Sequence, residues 1–168
     1  MEIITPISTY LSALAVAAGP ASKAETNYLS NDTRHQEEDR SYVNQQNQII
    51  LLSALREMVS DCAAPGWDGE KAVPIAVPVV RNAIRVINSL PFTVGIPDII
   101  PQSNGKIAFE WYRAPFHQLI ISVGPTSNVA YSALLGNDRI MGWRQLSLIG
   151  ELIEKMRTEY KLIPTIRK

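Results

Sequence analysis

Cysteine, histidine and a surplus of either charge are all scarce in this chain. Cys62 is the only cysteine, which excludes an intrachain disulfide and leaves a cysteine-based metal site dependent on other ligand types. His35 and His117 are the only histidines and lie far apart. None of the three falls at ligand spacing such as C-x-x-C or H-x-x-x-H, so no metal or other cofactor is expected. Sixteen basic residues balance sixteen acidic ones, with no Lys/Arg run. That balance argues against a protein whose main work is neutralising phosphates, and nucleic acid is not expected as a partner except indirectly. Long apolar runs are missing too. Residues 10–18 are rich in Ala and Leu but too short to span a bilayer, and no membrane partner is expected. With Gly19, Ala21 and Ser22 behind it, this stretch imitates a signal peptide. Residues 1–9, however, carry Glu2 and no Lys or Arg, so the positive leader is lacking. The expected location is cytoplasmic, with a secreted precursor as the alternative.

What remains is a globular composition. In 168 residues, 46% hydrophobic content against 19% charged is enough for one core and too little chain for two. Residues 1–40 read as an N-terminal appendage and polar linker. The apolar stretch could form a short helix stopped near Gly19-Pro20, and residues 22–40 are polar enough for a linker or a solvated helix start. Residues 41–168 read as a single α+β domain.

Within that domain the periodicity is helical from Ser41, which suits an N-cap, to about Ser60. Tyr42, Ile49, Leu52, Leu55 and Val59 form a stripe, while Asn44, Gln48 and Arg56 sit elsewhere. A second helix starts near Val77 or Pro78 and is closed by Pro91. Its Val80, Ala83, Ile84, Ile87 and Leu90 oppose Arg81, Asn82, Arg85 and Asn88. Residues 96–100 suit an edge strand bounded by Pro97 and Pro101. Asn104-Gly105 is a strong hairpin signal, read as a type I′ turn. Residues 106–113 then alternate, with Ile107, Phe109 and Trp111 on one face and Ala108, Glu110 and Tyr112 on the other. His117, Leu119, Ile121 and Val123 share a face of a third strand. Residues 129–135 make a fourth, closed by Gly136-Asn137-Asp138. A last helix over 146–160 carries Ile149, Leu152, Ile153 and Met156 inward and a Glu151–Lys155 pair outward. The expected fold class is α+β: a four-stranded antiparallel meander with helices packed mainly on one face.

Catalysis needs convergent polar groups with a nucleophile, base or metal. Glu110 between Phe109 and Trp111 is the most provocative carboxylate, yet alternation turns it away from their face, towards solvent or a cross-strand partner. His117 belongs to a different face set from Glu110, and no third group is identifiable. Asp61 beside Cys62 disfavours the thiolate. Pro97-Asp98 invites comparison with metal nucleases, but no lysine stands two residues after Glu110, and Gly66-x-x-Gly69 lacks the companions of a phosphate loop. Trp67-Asp68-Gly69 has a structural account: Asp68 and Gly69 make a turn, Asp68 caps nearby N–H groups, and Trp67 folds back on the core. Trp143, flanked by Gly142 and Arg144, is less clearly core, and Trp and Arg are typical anchors at interfaces.

Trp67-Asp68-Gly69, Lys71-Ala72, Pro74, the helix to Leu90-Pro91, residues 97–101, Asn104-Gly105 and Glu110-Trp111 together resemble a known pattern. It is that of a widespread group of small bacterial proteins of uncharacterised function, reading W-D-G-x-x-A-x-P, a helix, a proline-rich edge, a D-G or N-G turn, and L-E-W. The likeness covers residues 66–135. It departs at Ala76 and Val77, where a capping Ser or Thr is usual, at Phe109 in place of Leu, and in the first forty residues. Such proteins are similar to cargo of mobile elements and two-gene modules. The resemblance implies a partner-binding, antitoxin-like or inhibitory role and brings no catalytic residues with it.

The leading expectation is a non-enzymatic module binding another protein, a toxin or a defence complex, with a homodimer also compatible. Tyr10, Leu11 and Leu14 and the trio Arg139, Trp143 and Arg144 are the expected contact residues. Trp67, Asp68, Gly69, Asn104, Gly105 and Trp111 are expected to be structural. The alternatives are a small hydrolase-type enzyme using Glu110 with Asp98 or His117, and a weak nucleic-acid contact through Lys106, Arg139 and Arg144.

Overall fold

The computed structural model describes the backbone of residues 23–164, and the side chains of Glu38 and of 41–164. Tyr10, Leu11 and Leu14 lie outside the described residues. The chain divides into two units, Met1–Asp39 and Arg40–Lys168. The first contributes the beginning of helix α1, Lys23–Asp61, which continues into the second. Residues 23–40 are thus helical, and Ser41 is an interior helical position, not an N-cap.

In the second unit α1 buries only the end of the stripe expected of it, Leu55 with Val59 packed against the core. Leu51, Leu55 and Cys62 are buried and Met58 is half-buried against the core, whereas Tyr42 is 64% exposed and Ile49 54%. Asn44 and Gln48 lie towards the core side, beside Ile87, Leu90 and Val94. The reason lies in the interruption at Arg56. The line through Tyr42, Ile49 and Leu52 runs into a guanidinium, which cannot be buried without a partner. Leu51, Leu55, Met58 and Cys62 run unbroken to the helix end at helical spacing.

Helix α2, Val77–Asn88, starts with Pro78 in its first turn and Ala76 as an N-cap that makes no side-chain hydrogen bond. It buries Val79, Asn82, Ala83, Val86 and Ile87. Asn82, expected on the solvent side, is 6% exposed. Its Nδ2 donates to the Gly124 carbonyl at 3.0 Å and to that of Thr126 at 2.9 Å. A buried amide is tolerated when its donors are met, and here they pin the turn after the third strand. After β5, a 3-10 turn over Leu146–Leu148 leads into α3, Ile149–Thr158, which buries Ile149, Leu152, Ile153 and Met156. The expected Glu151–Lys155 pair does not form. Lys155 meets Glu159 at 3.7 Å, and Arg157 donates to Glu154, which holds that carboxyl below its usual range.

The protein is α+β with an antiparallel sheet of five strands rather than four: β1 Asp98–Pro101, β2 Ile107–Ala114, β3 His117–Val123, β4 Asn128–Leu135 and β5 Asp138–Gln145. They neighbour one another in chain order, all antiparallel. Gly136-Asn137 does not close the sheet. It is a two-residue hairpin turn, with Gly136 at φ 64°, the first-position glycine such turns favour. The Asn104-Gly105 turn is also not type I′. Gly105 alone has positive φ, its N–H donates to the Gln102 carbonyl at 2.9 Å, and Gln102 N–H donates to Lys106 O at 2.9 Å. That is a three-residue loop with a left-handed glycine at its end.

Ile107, Phe109, Trp111, Leu119, Ile121, Val123, Val129 and Ala133 are buried and share one apolar cluster with Val79, Val86, Ile87, Ile149 and Ile153. Two further ties close it. Trp111 Nε1 donates to the Gly95 carbonyl at 2.7 Å, and Gly95 N–H donates to Pro164 O at 2.8 Å. The segment between α1 and α2 straps across the β1–β2 turn. Asp68 Oδ1 accepts from the N–H groups of Glu70 and Ala72, Trp67 Nε1 donates to Val73 O at 3.2 Å, and Val73 N–H donates to Ser103 O.

Candidate functional site

Strand register places the side chains of the second sheet face in three rows. Ile100, Ala108, Ser122, Ala130 and Trp143 stand opposite one another across the five strands. Asp98, Glu110, Ile120, Ser132 and Met141 form the next row, and Tyr112, Gln118, Leu134 and Arg139 the third. The small side chains fall in the middle of the first row and the large ones at its ends. The result is a shallow concavity of about 480 Å³ floored by Ser122, Ala130 and Ser132 and walled by Ile120, Met141 and Trp143. Trp143 is 68% exposed and Met141 59%.

Charge is divided across this face. Asp98 and Glu110 are direct cross-strand partners at the β1–β2 side, and Glu110 accepts a hydrogen bond from the Gln118 amide. Arg139 stands at the β5 side. Apolar in the centre, acidic at one side and basic at the other, the surface can recognise shape and charge order. Gly142 leaves room behind it: a Cβ there would lie 2.8 Å from the Tyr131 hydroxyl, which covers that glycine from the paired position on β4 and would have to shift.

The expected contact residues divide accordingly. Arg139 and Trp143 lie on this face, but Arg144 pairs with Val129 and belongs to the other set. Arg144 does not join Arg139 in a basic patch; five residues of strand put Arg139 and Arg144 about 17 Å apart on opposite faces. Asp98 is brought to Glu110, as one alternative required. His117 is not: it is in register with Leu135 in the Phe109 set, and its Nδ1 lies 3.2 Å from Pro115 O. Among the described residues no three of His, Cys, Asp and Glu converge on a metal-sized site. Cys62 is buried at the end of α1, where desolvation, reinforced by Asp61, pushes its thiol pKa up.

Trp67, Asp68, Gly69, Asn104, Gly105 and Trp111 all lie in the strap, the turn and the core just described. Met141, Ile120 and Ser132 were missed from sequence. The available signal was the period-2 alternation Arg139, Met141, Trp143, Gln145 after a Gly136-Asn137 turn. A second cleft of about 520 Å³ is lined by Arg85, Ser89, Ser127, Gln145, Leu146 and Ser147.

No family model, curated protein or solved structure matches this chain.

Proposed function

We propose that this protein is a non-enzymatic binding module that acts in the cytoplasm on another protein, as an antitoxin-like inhibitor of a toxin or defence complex. In this reading the helices cover the Phe109 face of the sheet and leave the Glu110 face for the partner. The observation that carries it is the exposure of Trp143 and Met141 beside a floor of Ala and Ser. A large aromatic next to a shallow apolar concavity is how protein interfaces concentrate binding energy, and isolated exposed apolar residues need no such explanation. The fitting partner presents an apolar side chain to the concavity, a basic group towards Asp98 and Glu110, and an acidic one towards Arg139.

The test is calorimetric titration against the product of the neighbouring gene. Trp143→Ala should weaken binding by at least about 30-fold, the range of a central aromatic anchor. Ile84→Lys, on the exposed side of α2, should leave affinity unchanged. Equal affinity of the Trp143 variant and the wild type would remove this face from the interface.

A further inference from the structure

We propose that β5, the outer strand of the sheet, pairs antiparallel with β5 of a second copy of this chain and joins the two sheets into one. The two edges of the sheet are unlike. β1, Asp98–Pro101, is four residues long and ends on proline, both devices that keep an edge from pairing. β5, Asp138–Gln145, is eight residues long, contains neither proline nor lysine, and runs against β4 without a bulge. Its outer hydrogen-bonding row is open. Leu135 and Asp138 flank a two-residue turn and form the bonded pair that closes it. Further along the same ladder Leu146 N–H donates to Ser127 O at 2.7 Å. The even-numbered residues of β5 therefore turn their backbone groups to β4, and Arg139, Met141 and Trp143 turn theirs outward. Among the described residues no backbone group bonds to them.

Register and charge identify a second copy as the occupant. A two-fold axis normal to the sheet keeps each face on its own side, so the pairing must centre on a single residue opposite its counterpart. Centring on Met141 opposes Asp138 to the other copy's Arg144 and Arg139 to the other copy's Trp143. Each end is then complementary on both faces: carboxylate with guanidinium on one, guanidinium with indole on the other. Centring on Ile140 sets Arg139 against Met141, and centring on Gly142 sets Arg144 against Ile140. Neither brings opposite charges together. Within one chain Asp138 and Arg144 stand about 20 Å apart along the strand, and neither they nor Arg139 make an ion pair among the described residues. The Met141-centred register also pairs outward backbone groups with outward backbone groups, exchanging about six hydrogen bonds. One strand pair buries less than a standard interface, so the association is reversible and concentration-dependent.

Sedimentation of the full chain between about 1 and about 500 µM should show a monomer of 18.6 kDa passing to a dimer. Asp138→Arg and Arg144→Asp each set like charges against each other and should each weaken the dimer by at least about 5-fold. The double variant restores opposite charges and should return to within about 2-fold of the wild type. Amide hydrogen exchange reads the contact itself. The N–H groups of Arg139, Met141 and Trp143 should become protected at the high concentration. Those of Ile140 and Gly142, bonded to β4, should be protected at every concentration and in every variant, which reports an intact fold. A wild type that stays monomeric at the highest concentration overturns the inference, as does a dimer whose three outward amides still exchange freely. Single variants that dimerise like the wild type, or a double variant no tighter than the singles, overturn the Met141-centred register. The inference does not rest on the partner-binding reading, since Asp138 and Arg144 belong to the Phe109 face set and their variants leave the concavity intact.

Discussion

Asn82 is the residue whose surroundings differ most from its local context. Read along α2 it belongs with Arg81, Arg85 and Asn88, yet its amide is buried and meets two carbonyls of the β3–β4 turn. Helical spacing could not reveal this, because position 82 lies at the border of the apolar stripe and the carbonyls it serves are more than forty residues away. Asn82→Ala should lower stability by about 1–3 kcal/mol, the cost of leaving buried acceptors unmet. A urea-unfolding midpoint measures it, and a midpoint within error of the wild type would mean water serves those carbonyls equally well. Glu110 shows the opposite relation. Its alternation with Phe109 and Trp111 was enough to send it to the other face, and there it meets Gln118 as a cross-strand neighbour.

At the scale of elements, turns and ends depended on more than the local signal. Asn104-Gly105 marked the hairpin correctly but not its type, because the loop conformation also answers to the strap lying over it. A Cβ on Gly105 would lie 3.2 Å from Pro74 O and 3.3 Å from a Val73 methyl, while one on Gly69 would meet nothing within 4 Å. Both glycines hold positive φ. Gly69→Ala should therefore cost about 1 kcal/mol for backbone strain alone, and Gly105→Ala about 1–2 kcal/mol more for the contact. Thermal unfolding of the two variants checks the order, and equal losses would show that the strap yields freely. The fifth strand was hidden by the same limit: Gly136-Asn137 reads equally well as a hairpin turn or as the end of a sheet. What distinguishes the two is that Val129, Tyr131 and Ala133 find partners at Arg144, Gly142 and Ile140.

For the molecule as a whole, Cys62 reports how cooperatively the second unit holds together. The thiol lies where α1 ends and the strap begins, and its backbone carbonyl accepts from Ile75 N–H. Burial and Asp61 both disfavour the thiolate, so a disulfide reagent should react only after that junction opens. The rate should rise with denaturant along the same slope as global unfolding. Fast reaction independent of denaturant would instead mean that the end of α1 opens locally.

Hydrophobic spacing and turn-forming residues were legible without the fold because they depend on neighbours in the chain. They set the positions of α2 and α3, the face assignments within β2 and β3 and the capping role of Asp68. Three choices lay beyond them: which of two apolar faces α1 buries, whether β4 has a further partner, and whether Arg139, Met141 and Trp143 belong together while Arg144 does not. Each leaves the local pattern equally satisfied either way. Only the surface packed against it, with its own geometry and its own need to avoid burying an unpaired charge, selects one outcome.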